Sequence, residues 1–190
     1  MNKSDYIKLQ DEGSAWTHEF EPYQIMLKQF ILLIRDNLPY IKPDKFLDMG
    51  CGDGWGIKEW KKYGFDVSGG DISEEKVKYA KEQGLPVEVM DIEDIKGKYT
   101  AIFCSHTLEH SQDFKKAVDS MVNALESGGR LYLVIPIEPK DPKQWNPSHT
   151  QWFSDKSVLR DYLMDKPVVI YWEESRMRDV EEYWLIVEKK

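Results

Sequence analysis

The segment Asp48-Met49-Gly50-Cys51-Gly52-Asp53-Gly54 constrains this chain more than any other. The apolar run before it, Lys45 to Met49, reads as a buried strand. Gly54 to Tyr63 after it reads as a helix stopped by Gly64. Glycines at a strand-to-helix turn let the backbone bend tightly and approach a ligand. Ligands bind such sheets beyond the carboxyl ends of the strands. The spacing excludes two common ligand loops. A dinucleotide loop requires G-x-G-x-x-G, but the third glycine position holds Trp55 when counted from Gly50 and Ile57 when counted from Gly52. A phosphate-cradling P-loop requires a lysine followed by a hydroxyl residue, and the segment has neither.

Downstream, strand and helix patterns alternate. Phe65 to Gly70 reads as a second strand ending at Asp71. Ser73 is a good N-cap for the next helix, Glu74 and Glu75 suit its positive end, and Gly84 closes it. Pro86 to Met90 and Thr100 to Cys104 read as the third and fourth strands. Ser111 is expected to cap a helix that runs through Leu125 and stops at Gly128 and Gly129, and Arg130 to Ile135 is a fifth, strongly apolar strand. This alternation predicts an α/β fold, a parallel sheet with helices on both faces. The last part departs from it. A helix over Ser154 to Met164 precedes two strands, Val168 to Trp172 and Tyr183 to Glu188, whose link is too short for a helical crossover, so they should pair antiparallel. At the other end, Met1 to Thr17 shows no period and is expected to be a loose arm. Tyr23, Leu27, Phe30, Ile31, Ile34 and Leu38 form the apolar stripe of a helix ended by Pro39 and Pro43. The chain therefore divides into an N-terminal arm and helix (1–43), a ligand-binding core (44–138), and a substrate-side loop with the last helix and strand pair (139–190), all in a single domain.

Acids define the ligand. Asp71 follows Asp48 by 23 positions, near the roughly 20 expected of a ribose-binding acid. Its carboxylate can accept from both ribose hydroxyls. Asp91 ends the third strand and can accept from the exocyclic amine of an adenine, while the N–H of Ile92 donates to a ring nitrogen. Three acids at three consecutive strand ends suit a nucleoside without phosphate. A sulfonium cofactor is such a ligand, and Asp48 can help hold its ammonium group.

On these residues the chain resembles the class I S-adenosylmethionine-dependent methyltransferases, in particular the small-molecule branch that includes the ubiquinone and menaquinone biosynthesis enzymes. The matching segments are Leu47 to Gly54, Gly70 to Ser73, Met90 to Asp94, Ser105 to His110 and Leu125 to Leu131. The resemblance implies a three-layer α/β/α Rossmann-like sandwich with a mostly parallel seven-stranded sheet and the last strand antiparallel beside the fifth. It implies that Gly50, Cys51 and Gly52 line the methionine half of S-adenosylmethionine and that Asp71 holds the ribose. Ile72 would pack on the adenine, Asp91 and Ile92 would read its edge, and Ser105 and His106 would lie near the sulfonium. The reaction implied is methyl transfer to an oxygen or nitrogen of a small-molecule acceptor, leaving S-adenosylhomocysteine.

Catalytic candidates are His106, His110 and His149. Each can be a general base for the acceptor or a hydrogen-bonded structural residue. Cys51 and Cys104 lack the spacing of a zinc site or redox pair and read as buried thiols in a reducing, cytoplasmic compartment. No metal is expected. The loop Pro136 to Phe153 carries Trp145, Trp152 and His149, and its tryptophans either wall the acceptor pocket or anchor the loop. A net charge of −8 argues against a nucleic-acid partner, and no apolar run is long enough to span a membrane. The alternatives are a cofactor-binding partner or activator domain without turnover, and a nucleic-acid or protein methyltransferase. The oligomeric state is left open.

Overall fold

In the computed structural model, residues 3–12, 21–37, 44–177 and 180–190 are described. Seven strands form one sheet in the order β3-β2-β1-β4-β5-β7-β6. They are β1 (Phe46–Met49), β2 (Val67–Asp71), β3 (Val87–Val89), β4 (Tyr99–Ser105), β5 (Leu125–Pro136), β6 (Val168–Met177) and β7 (Glu181–Lys189). The pairs β1–β2, β2–β3, β1–β4 and β4–β5 are parallel, while β7 runs antiparallel to both β5 and β6. The architecture expected from the sequence is thus the one observed.

Residues alternate across the sheet with the period of a strand. On β7, Tyr183, Leu185 and Val187 face one core, while Trp184 and Ile186 face the other. On β5, Leu131, Leu133 and Ile135 face the first core and Tyr132 and Val134 the second. Both faces are covered, so these strands read as unbroken apolar runs rather than as alternating ones. The first core is closed by α5 (Phe114–Ala124) and α6 (Ser157–Met164), and the second by α2 (Glu21–Asn37), α3 (Trp55–Lys62) and α4 (Glu74–Glu82). The α2 stripe docks as its spacing predicts, with Leu27, Phe30 and Ile31 fully buried. Pro39 and Pro43 lie outside the described residues.

Three local expectations are corrected. Lys3–Glu12 is a helix, α1, and not a loose arm; residues 13–17 are outside the described set. It has almost no amphipathic pattern; Tyr6 is buried, and Asp11 accepts from the Ser73 hydroxyl. The α5 cap is Asp113, whose carboxylate accepts from the backbone of Lys115 and Lys116, whereas the Ser111 hydroxyl donates to the Leu108 carbonyl. The helix ends at Ala124, and Gly128 and Gly129 lie inside β5, at a register shift against β4. Gly128 takes φ +73° there, a value a bulge requires and a side chain resists. The last helix starts at Ser157 rather than Ser154.

Phe30 joins α2 to the sheet through ring contacts with Phe103, Tyr132 and Trp184 at centroid distances of 5.0–6.1 Å. Phe30→Ala should therefore cost about 3–5 kcal/mol, read from the urea midpoint. A loss under about 1 kcal/mol would mean that α2 is not part of the core.

Candidate active site at the carboxyl edge of the sheet

The turns after β1, β2, β3 and β4 converge at one edge, as parallel pairing requires. Gly50, with φ +82°, donates its N–H to the Gly70 carbonyl at 2.7 Å. A Cβ on Gly50 would lie 2.0 Å from Thr107 Oγ1, so only glycine fits between the β1 and β4 turns. Gly52 donates to Asp71 Oδ2 at 2.8 Å, and the other Asp71 oxygen accepts from Ser73 N–H at 2.9 Å. Asp71 therefore ties the β1 turn to the start of α4, while Ser73 caps that helix as expected, accepting from Lys76 N–H. Each Asp71 oxygen keeps a second lone pair.

Asp48 is buried on β1, and its Oδ2 has no hydrogen-bond partner among the described residues. Burial, then the charge of Asp71, pushes its carboxyl up to about 7. Such an acid is a poor structural element and a good receptor for a cation. Cys51 is buried in the same turn. Ile72 is half-buried after Asp71. Asp91 caps the turn Ile92–Asp94 by accepting from Glu93 N–H, and Ile92 is buried in the core. Two aromatic residues not anticipated from the sequence border these acids. Burial and the charges of Asp91, Glu93 and Asp71 raise the Tyr6 hydroxyl, which places α1 beside the acids of β2 and β3. Tyr23 on α2 is raised by burial and by Asp48.

Beyond β4 the three candidate histidines lie in one buried polar chain. Ser105 is buried. His106 is the one non-glycine residue with positive φ, +48°, among the described residues, and its N–H donates to the Val134 carbonyl at 2.9 Å. Its Nε2 lies 2.6 Å from Glu182 and its Nδ1 3.5 Å from Glu109. Burial alone would lower its pKa, but the two carboxylates outweigh it and raise it to about 9. His110 Nδ1 donates to the Ser148 carbonyl at 3.0 Å, and its ring stands edge-on to that of His149, with centroids 4.9 Å apart. His149 Nδ1 bonds the buried Glu138 carboxylate. Glu138 and Glu182 were not legible as site residues. Glu182 comes from a strand 76 residues beyond His106, and only the insertion of β7 beside β5 delivers it.

The loop after β5 is pinned by Thr150 and Gln151 N–H donating to the Glu109 carbonyl and by Glu138 N–H donating to the Phe153 carbonyl. Phe153 is an anchor, buried against Phe114. Trp145 and Trp152 stack on each other at 4.9 Å, and Trp152 is exposed. Cys104 is fully buried and its thiol is held well above the usual range by burial, so it is an inert core residue.

Residues 47–133 match the model of the methyltransferase domain family. This stretch, a little under half of the chain, is similar to that family. The ubiquinone biosynthesis O-methyltransferase of Xanthomonas axonopodis pv. citri is 31% identical over 99 residues, 47% of this chain and 41% of that protein. The ajmaline N-methyltransferase of Rauvolfia serpentina is 32% identical over 111 residues, 52% of this chain and 38% of that enzyme. The chain thus spans about two fifths of the length of the curated relatives it matches. The magnesium protoporphyrin IX methyltransferase of Synechocystis PCC 6803, solved with bound SAM, shares the fold with a TM-score of 0.69 at 20% identity, over 89% of this chain and 80% of that one. The matched residues fall within the part of the chain expected from the sequence to resemble a methyltransferase core. No helix among the described residues is long and apolar enough to cross a membrane.

The Asp48 carboxyl yields a pH prediction. Its folded-state value of about 7 lies above the ordinary 3.8, so the native protein keeps this proton where the unfolded chain has lost it. Its contribution to stability should fall as pH rises from about 4 to about 7. Asp48→Asn should remove that dependence and leave the variant at least as stable as the wild type at pH 8, measured by urea unfolding across this range. A variant clearly less stable at pH 8 would mean that the buried charge is compensated.

Proposed function

We propose that the protein transfers a methyl group from S-adenosylmethionine to an oxygen or nitrogen of a small-molecule acceptor. What carries this proposal is the placement of Asp48, Asp71 and Asp91 at three adjacent strand ends around a glycine turn, with Asp48 buried and its Oδ2 without a hydrogen-bond partner among the described residues. When bound, the cofactor supplies a methyl group on an already activated cationic sulfur. The chain has to supply binding, alignment and exclusion of water.

In this proposal Gly50, Cys51 and Gly52 line the methionine half and Asp48 receives the ammonium. The free lone pairs of Asp71 accept from the ribose hydroxyls. Ile72 packs on the adenine, and Asp91 with Ile92 meets its edge. Ser105 and His106 border the reacting end. His106 holds its proton at neutral pH between Glu109 and Glu182, so it is a cationic positioning residue rather than the base. His110 and His149 are each committed to an acceptor through Nδ1. A base is needed only where the acceptor keeps its proton at neutral pH. Residues 44–138 hold the cofactor, and the loop within 139–190 with its stacked tryptophans faces the acceptor. The small-molecule class is supported by the acceptors named for the relatives and by the net charge of −8. Two free, buried cysteines agree with a reducing, cytoplasmic setting.

Calorimetric titration with S-adenosylhomocysteine should give micromolar binding, and NAD none. Absence of S-adenosylhomocysteine binding by folded protein would remove the enzyme assignment. Asp71→Ala should weaken binding by roughly 1–3 kcal/mol. Because the ligand's ammonium favours the ionised form of Asp48, affinity should rise as pH is raised from 6 to 8, and Asp48→Asn should flatten that rise. A pH-independent affinity in the wild type would separate Asp48 from the ammonium.

A further inference from the structure

The sequence shows no metal-ligand spacing, because the residues that could form a site are 39 or more positions apart in two segments, Glu109-His110 and His149. The fold brings them together. One ligand atom from each of Glu109, His110 and His149 lies within 4.8 Å of the other two, with Glu109 and His149 buried and His110 half-buried.

Hydrogen bonds fix what each group presents. The Ser148 carbonyl can only accept, so His110 Nδ1 carries the hydrogen and Nε2 of the neutral ring carries the lone pair. The Glu138 carboxylate does the same for His149. A histidine whose outer nitrogen donates to a carbonyl or carboxylate is the arrangement that orients imidazoles on metals. The third member, Glu109, is 0% exposed, and neither of its carboxylate oxygens has a hydrogen bond among the described residues. A buried carboxylate left so is costly unless a cation or donor meets it. The cation beside it, His106, lies at 3.5 Å through Nδ1 and bonds Glu182 more closely through Nε2 at 2.6 Å, so Glu109 keeps acceptor capacity for a further cation.

We infer that Glu109, His110 and His149 form a binding site for one divalent transition-metal ion, with zinc the best-suited ion and Glu138 and Ser148 as the outer partners of the two histidines. Two imidazoles and one carboxylate suit zinc, manganese or iron, whereas magnesium and calcium prefer shells built of oxygen. Three protein ligands leave a coordination position open to water or to another oxygen or nitrogen. The ion would clamp the loop after β5 onto the turn after β4, next to Thr107 and the glycine turn. The site does not depend on the methyl-transfer proposal, since its readout is metal binding alone.

The test uses the full chain stripped by chelator and titrated calorimetrically with zinc chloride, with magnesium chloride as the comparison. One zinc per chain, binding at micromolar affinity or tighter with a rise in Tm, and magnesium much weaker, is the expected result. His149→Ala and Glu109→Gln should each weaken zinc at least 100-fold, and Glu138→Gln roughly 10- to 100-fold. If the buried variants do not fold, His110→Ala at the half-buried position and the visible spectrum of the cobalt-loaded wild type replace them. A low-coordinate cobalt spectrum with imidazole ligation supports the site. Absence of saturable zinc binding, an octahedral water-rich cobalt spectrum, or zinc affinity unchanged in folded His110→Ala or His149→Ala would overturn it.

Discussion

Asp71 accepts one backbone N–H from the turn after β1 and another from the residue that caps α4. Without that carboxylate the two turns have no common partner, and the Gly52 N–H that faces the cleft loses its acceptor. The glycine turn, the start of α4 and Asp71 are thus one unit. The same geometry explains why Gly50 cannot carry a side chain. The turns are drawn so close that Thr107 fills the space where a Cβ would stand. Binding groups at this edge are placed by backbone amides and strand ends, which are the most rigid parts of the molecule.

Most of the fold was legible because it is encoded locally. The unbroken apolar runs of β5 and β7, the helical stripe from Tyr23 to Ile34, the Ser73 cap and the glycine turn each lie within a dozen residues. What stayed hidden has a common cause. The α1 helix lacks an apolar stripe, and the ties that seat it, buried Tyr6 and the Asp11–Ser73 hydrogen bond, are made to parts of the chain far away in sequence. Asp113 rather than Ser111 caps α5 because Ser111 closes the preceding turn Leu108–His110, its hydroxyl donating to the Leu108 carbonyl, which moves the cap on by two positions. The glycine pair at 128–129 looks like a helix stop but serves a bulge that exists only once β5 lies against β4.

The candidate site divides the same way. The acids at the ends of β1, β2 and β3 were readable from spacing, since Asp48 and Asp71 lie within the last two residues of their strands and Asp91 two residues past its own. The polar chain behind the histidines was not. Glu182 reaches His106 because β7 is inserted between β5 and β6, and His149 reaches Glu109 because a proline-rich loop folds back onto the turn after β4. Sequence flagged the histidines as candidates and left their roles open. The structure adds their partners: His106 lies between two carboxylates, and His110 and His149 each have one nitrogen committed.

The two borders of the sheet differ. At one end β3 offers only three residues. At the other, β6 presents ten, with one side of its backbone unpaired. Such a long open edge is a template for pairing with other chains. Two features blunt it. The register slips at Tyr171, between Ile170 and Trp172, which breaks the run of regular hydrogen-bonding groups. Beyond that point Glu173, Glu174 and Arg176 replace apolar residues, and Arg160 and Arg176 pair with the two glutamates. Charges that contribute little to the core thus oppose strand pairing along this border.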